Sequence, residues 1–189
     1  MPTDLNYNSI LKPRRKGSAE VLKVLKRTKV AVYLGGPIAF AEDLQEYRKA
    51  LKEGLSNISS KFDVHDPWER EKATMPTVKS SVGLGGIEEQ KATAEDVILA
   101  DLADISSCDL VIAYMFRIGV GTSMELFWAS RILRKPVLVI YTPADEGAEA
   151  VPLWLYGHAN VIFQSKRGLY TFLRRALEEI EEDGKEETK

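Results

Sequence analysis

Leu110-Val111-Ile112-Ala113-Tyr114-Met115, running on into Phe116-Arg117-Ile118-Gly119-Val120-Gly121-Thr122-Ser123-Met124-Glu125-Leu126-Phe127-Trp128-Ala129-Ser130, reads as a strand delivered into a helix. The apolar run has the length and branching of a buried strand. Helical spacing follows it to about Arg134. Gly119 and Gly121 mark the turn, where the absence of a side chain lets backbone approach a ligand closely. On this reading Glu125 falls in the first helical turn, where peptide dipoles stabilise a carboxylate. Ligands of open α/β sheets bind outside the carboxyl ends of the strands, so an ionised acid there is a candidate nucleophile. Thr122-x-x-Glu125 is equally a capping box, whose side chains would only satisfy the free amides of the helix start. The local pattern leaves both open.

The remaining chain supplies more units of the same kind. Ser18 is expected to cap a short helix through Arg27. Strand one spans Lys29 to Leu34 and stops at Gly35-Gly36-Pro37. A helix is expected from about Ala41 to Leu55, with Leu44, Tyr47 and Leu51 on its inner face. Lys61 to His65 reads as strand two. Glu69 to Lys91 has no clear period, and a loop this long is usually functional or partly disordered. Thr93 caps a helix to about Ser106, Leu110 to Tyr114 is strand three, Val137 to Tyr141 strand four and Val161 to Phe163 strand five. Pro143 to Pro152 is an acidic loop, and Ser165 opens an amphipathic last helix. Alternating strands and helices imply parallel pairing with right-handed crossovers. The expected fold class is α/β, a doubly wound five-stranded parallel sheet of flavodoxin-like order 2-1-3-4-5.

The expected organisation is an N-terminal arm over 1–17, a single α/β domain over 18–181 and a charged C-terminal tail over 182–189. The nearly all-charged stretch from Glu178 onward is expected to fray into solvent. At 189 residues the chain is long enough to bury a substantial core. A formal charge of −2 gives no field for gathering a nucleic acid polymer or an anionic membrane. The single Cys108 rules out an internal disulfide framework, and no Cys or His pair has metal-ligand spacing. No run approaches a membrane span and the polar start lacks a signal peptide's apolar core, so a reducing, cytoplasmic setting is expected.

Several other side chains could carry chemistry. Tyr33, one residue before the end of strand one, should share a crevice with Glu125, because strands one and three are neighbours in this order. Its phenol could orient a carboxylate, or it could be a core tyrosine. Gly35 and Gly36 could cradle an oxygen-rich ligand through their amides. Asp101 lies between Val97, Ile98 and Ile105 on the apolar stripe of its helix, and a carboxylate there is expensive unless paired or used. Burial should raise its pKa, which suits a proton donor. The alternative is a structural acid bonded near Arg117 or to backbone. A helix starting at Thr93 puts Asp101 about 12 Å from its first turn, so it would reach the crevice only if the helix began late or lay obliquely. Trp68, Phe116 and Trp128 could stack on a planar base or simply cover the core. Arg117 could bind a phosphate or pair with a loop acid.

Val32-Tyr33-Leu34-Gly35-Gly36-Pro37, Ala100-Asp101-Leu102, Cys108-Asp109-Leu110-Val111-Ile112-Ala113, Gly119-Val120-Gly121-Thr122-Ser123-Met124-Glu125-Leu126 and Lys135-Pro136-Val137 resemble, in that order, the motifs of the nucleoside 2-deoxyribosyltransferase family. They resemble equally those of its relatives, the nucleotide N-glycosidases. The resemblance implies Glu125 as nucleophile, Tyr33 as the residue orienting it and Asp101 as the acid facing the nucleobase. It implies substrate binding by Gly35, Gly36, Pro37 and Trp68 on one side and Arg117, Gly119, Gly121 and Ser123 on the other. The implied function is cleavage of the N-glycosidic bond of a (deoxy)nucleoside or nucleoside monophosphate through a glycosyl-enzyme on Glu125, the sugar passing to another nucleobase. The alternatives are an N-glycosidase passing it to water, or a nucleotide-binding sensor that kept only the fold. No cofactor and no metal are expected. A homodimer or higher homo-oligomer is implied, since the family's sites are completed by neighbouring subunits. Two departures stand out. Gly119 occupies the position of the transferases' second base-binding aspartate, where phosphate-binding relatives often carry serine. Their ribose-binding asparagine has no counterpart near Pro152-Leu153-Trp154.

Overall fold

A computed structural model of the chain describes residues 17–38, 44–72, 93–143 and 151–186. The expected N-terminal arm, except Gly17, and most of the long loop lie outside the described residues. The elements are α1 (Ala19–Leu25), β1 (Val30–Gly35), α2 (Glu46–Ile58), β2 (Phe62–His65), α3 (Ala94–Ser107), β3 (Leu110–Met115), α4 (Val120–Phe127), β4 (Val137–Tyr141), α5 (Leu153–His158), β5 (Val161–Phe163) and α6 (Lys166–Glu186). A short helical segment, 68–72, follows β2, and a π-helical stretch (Trp128–Ile132) continues α4. All four pairings in the sheet are parallel, in the order β2-β1-β3-β4-β5. This is the doubly wound arrangement expected from the alternation of elements.

Strand side chains alternate between two cores, as the pleat requires. Val32, Leu34, Leu110, Ile112, Leu138 and Ile140 pack on one face with Leu25, Leu51, Leu55, Leu169 and Leu173 from α1, α2 and α6. Tyr33, Val111, Ala113, Met115, Val137 and Val139 face the other way, against Ile105, Leu126, Ala129 and Leu155. Tyr33 therefore shares a face with α3 and α4.

Several local expectations are overturned by tertiary contacts. Ser18 makes no side-chain cap. The second helix begins at Glu46 because Gln45 turns inward, donating from Nε2 to the Pro37 carbonyl (3.0 Å) and accepting from Arg48 Nε (2.6 Å). Leu44, expected on the inner face, is left 50% exposed. Glu125 is not in the first turn of its helix and Thr122 does not cap it. The N-cap is Gly119, whose carbonyl accepts from Ser123 N at 3.0 Å. The helix thus starts three residues early, with Gly119 set close against the β1 exit: a Cβ there would lie 3.4 Å from the Pro37 ring. Gly119 itself has an ordinary φ of −102°. Helix α6 runs to Glu186 instead of fraying from Glu178.

Candidate functional site

The carboxyl ends of β1 and β3 open onto a cavity of about 430 Å³, within the ~300–1,000 Å³ range of small-molecule sites. It is lined by Gly36, Pro37 and Ile38 after β1, Glu71 on segment 68–72, Val97, Ile98 and Asp101 on α3, Arg117 to Val120 after β3, and Gly121, Thr122 and Glu125 on α4. The Tyr33 hydroxyl, on a fully buried ring, donates to Glu125 Oε1 at 3.0 Å. Gly35 is the neighbour that makes room: a Cβ there would sit 3.5 Å from Glu125 Oε2. At Gly36 a Cβ would meet the Tyr47 hydroxyl at 2.2 Å and the Tyr114 carbonyl at 2.9 Å, so no larger residue fits.

Three carboxyl groups gather at this cavity, and burial raises all of them. Glu125 is pushed up to about 8, first by burial and then by the charge of Asp101, against the Tyr33 hydrogen bond. Glu71, 5% exposed, is pushed up to about 7 by burial and by Asp101. Asp101 reaches about 6, burial outweighing the Arg70 guanidinium. Burial and the Glu125 charge hold the Tyr33 phenol well above its ordinary value, so it remains a proton donor. The expectation that a helix start stabilises the Glu125 carboxylate is corrected: Glu125 lies beyond the first turn, and burial shifts its balance toward the protonated form. The three groups titrate together. Among the described residues, no group of three or more His, Cys, Asp and Glu side chains is arranged to hold a metal ion.

Asp101 reaches the cavity although α3 starts where the sequence indicates, at a Thr93–Asp96 capping box. Its helix presents a middle turn, Val97, Ile98 and Asp101, to the cavity. Val97 and Ile98 are therefore cavity wall and not core, and Ile98 is 56% exposed. The partner of Asp101 is Arg70, which also donates to Asp104 one turn on. It is not bonded near Arg117, which lies 5.7 Å from the Phe116 ring at the cavity mouth.

Three expected substrate-binding residues are not among the lining residues, the first of them Gly35, which ends β1 against Glu125. Ser123 turns its hydroxyl back to the Gly119 carbonyl (2.8 Å). Trp68 bonds its amide to Asp66 Oδ1 (3.1 Å) and is half-buried beside the site. Phe116 packs against Tyr47 and Tyr114, and Trp128 against the α4-side core. Sequence reasoning missed Glu71 and the buried Arg48. Arg48 carried a signal, because it falls beside Tyr47 on the stripe that Leu51 and Leu55 continue.

A sequence profile of nucleoside 2-deoxyribosyltransferases matches residues 32–155. No curated protein sequence matches the chain significantly. Among solved structures, a conserved protein from Enterococcus faecalis V583 aligns with a TM-score of 0.56 at 16% identity, over 78% of this chain and 98% of that one. A 2-deoxyribosyltransferase from Bacillus psychrosaccharolyticus aligns at 0.49 and 20% identity, covering 76% and 90%. The Clostridium botulinum CMP N-glycosidase aligns at 0.43 and 19%, covering 76% and 97%. At such identities the likeness to the first of these is one of fold. The profile match covers more than half of the chain, from β1 to α5, and takes in Tyr33, Asp101 and Glu125. The chain belongs to the nucleoside 2-deoxyribosyltransferase family, enzymes of the N-glycosidic bond.

Proposed function

We propose that the protein cleaves the N-glycosidic bond of a (deoxy)nucleoside or nucleoside monophosphate at Glu125 and transfers the sugar to another nucleobase. The observation that carries this reading is the Tyr33–Glu125 hydrogen bond at the wall of a cavity that also holds Asp101. Breaking a C1′–N bond builds positive charge on the sugar, which a carboxylate beneath C1′ stabilises and captures. A Glu125 oxygen bonds to C1′ as the C1′–N bond breaks, and the electron pair leaves with the base. Asp101, in its protonated form, gives that base a proton and makes it a better leaving group. The ring nitrogen of an incoming base then attacks C1′, releases Glu125 and gives its N–H proton back to Asp101. Of the three acids Glu125 has the highest pKa and Asp101 the lowest, so the reaction needs the proton of the cluster to move from Glu125 to Asp101 before C1′ is attacked.

Passage of the sugar to water is the alternative, favoured by Gly119, which stands where the transferases carry a second base-binding aspartate. Arg117 at the mouth suits a 5′-phosphate. Exposed Val120, Met124, Leu153 and Trp154 on α4 and α5 make an apolar band beside the mouth, which supports a homo-oligomer that completes the site. The buried thiol of Cys108 fits a reducing, cytoplasmic setting. Incubation with mixed deoxynucleosides and monophosphates, scored for free base and exchanged nucleoside, tests the reading. Glu125→Ala should abolish both products and the sugar adduct seen by intact mass, with the fold retained. Undiminished base release by that variant rules out the assigned role.

A further inference from the structure

Arg48 is among the largest fully buried side chains of the fold, 1% exposed. It stands in the first turn of α2, and its guanidinium is committed in four directions. Nε donates to Gln45 Oε1 (2.6 Å), Nη1 to the Leu34 carbonyl (2.9 Å) and to Asp66 Oδ1 (2.8 Å), and Nη2 to the Gly36 carbonyl (2.9 Å). Those two carbonyls bracket Gly35, the residue against which Glu125 Oε2 lies. Gln45, held by Arg48, donates in turn to the Pro37 carbonyl. One side chain thus fixes the backbone from Leu34 to Pro37 at the cavity floor.

A buried guanidinium needs an opposite charge, and Asp66 supplies one directly. Asp66 also takes Lys52 at 2.9 Å, so this pair carries no spare negative charge. The carboxyl groups of the cavity feel the same cation. Arg48 opposes the burial that raises Glu125, Glu71 and Asp101.

We propose that Arg48 is a positioning residue of the active site: it locks the β1 exit beneath Glu125 and supplies the positive field that lets three carboxyl groups share one cavity. It lies behind the strand end and acts through Gly35 and Glu125. Its catalytic meaning rests on the reading of Glu125 given above, but its electrostatic part does not. Among the described residues, the charged and titratable groups that act on Glu125 are Tyr33 on β1, Tyr47 and Arg48 on α2, Glu71 on segment 68–72 and Asp101 on α3, and Arg117 lines the same cavity.

The test is carboxyl carbon NMR titration of the full chain with labelled Glu and Asp, assigned with Glu125→Gln, Glu71→Gln and Asp101→Asn. In Arg48→Met the Glu125 and Glu71 midpoints should rise by about one pH unit, a tenfold gain in proton affinity. In Asp66→Asn, which unmasks the Arg48 charge, the Glu71 midpoint should fall. Opposite shifts are the signature, because structural damage alone would lower the melting temperature in both variants without moving the midpoints in opposite senses. Midpoints that stay put, or that move the same way in both, overturn the proposal. If Arg48→Met does not fold, Arg48→Gln is titrated in its place, and Glu125 and Glu71 midpoints that do not rise overturn the proposal. Should wild-type protein release no base from any nucleoside, the reading of Glu125 fails while these titrations still decide the role of Arg48.

Discussion

The two ends of the sheet both carry polar side chains and use them in opposite ways. At the amino end each has a partner that ties two elements together. Asp109 accepts from Ala31 N (3.0 Å) and from Arg27, Lys135 donates to the carbonyls of Ile105, Ser106 and Cys108, and Asn160 accepts from Val137 N (2.8 Å). At the carboxyl end Glu125, Glu71 and Asp101 gather around a cavity, and burial drives all three above their ordinary range. One end contributes to stability. The other gathers acids whose ionisation works against it, an arrangement that fits the cation-forming reaction proposed for the site.

The largest expected effect that sharpens this contrast is on stability against pH. The three acids have folded-state pKa values of about 8, 7 and 6, above those of the unfolded chain. The folded state therefore binds more protons, and stability falls as pH rises from about 4 through 8. Glu125→Gln removes the largest of these penalties. At pH 9 it should melt above wild type by about 5 °C or more, and the two should converge as pH falls to about 4, at roughly 2–4 °C per kcal/mol for a chain of this size. Thermal unfolding across that range checks it. A difference that does not grow with pH would mean that Glu125 is not held against its charge.

Tyr33→Phe comes next. Its hydroxyl favours the ionised form of Glu125, so its loss should raise the pKa of that carboxyl further. The acidic limb of base release should move to higher pH and kcat should drop about 10- to 100-fold, in the range of a lost charge-assisted hydrogen bond. A pH–rate profile separates this from a packing effect, which would change the melting temperature and leave the limb in place.

What the sequence could and could not convey follows the same division. The continuous apolar runs of β3 and β4 and the Thr93 cap were legible because they depend on neighbours in sequence, and with them came the strand order. The site was legible wherever a strand end located it, as with Tyr33, Gly36 and Pro37. The Thr122-x-x-Glu125 pattern misled because α4 already begins at Gly119, which lies against Pro37, a residue distant in sequence. The stripe around Asp101 was read as core, although a cavity accepts apolar side chains as readily as a core does. Arg48 obeyed the rule that singled out Asp101, a charge on an apolar stripe, and could have been found by it. Glu71 had no such signal: its segment has no period, and only the packing of 68–72 beside α3 brings it to the cavity.

The amino end supplies the complementary test. Asn160 stands just before β5, and its backbone N–H donates to the Val137 carbonyl at 2.7 Å. Its side chain accepts from Val137 N and donates to Glu20 Oε2 at 3.2 Å. Val137 opens a strand buried along its whole length. Asn160→Ala would leave that amide without its acceptor, a loss of about 1–3 kcal/mol. Asn160→Asp keeps the acceptor but sets a second negative charge beside Glu20, so it should fall between alanine and wild type. Denaturant unfolding measures both. At temperatures where the variants are folded, base release should keep its wild-type pH profile, because the side-chain partners of Asn160, Val137 and Glu20, lie at the amino end. A profile that shifts in Asn160→Ala would show that the two ends are coupled through the sheet, and the separation between stability at one end and chemistry at the other would be lost.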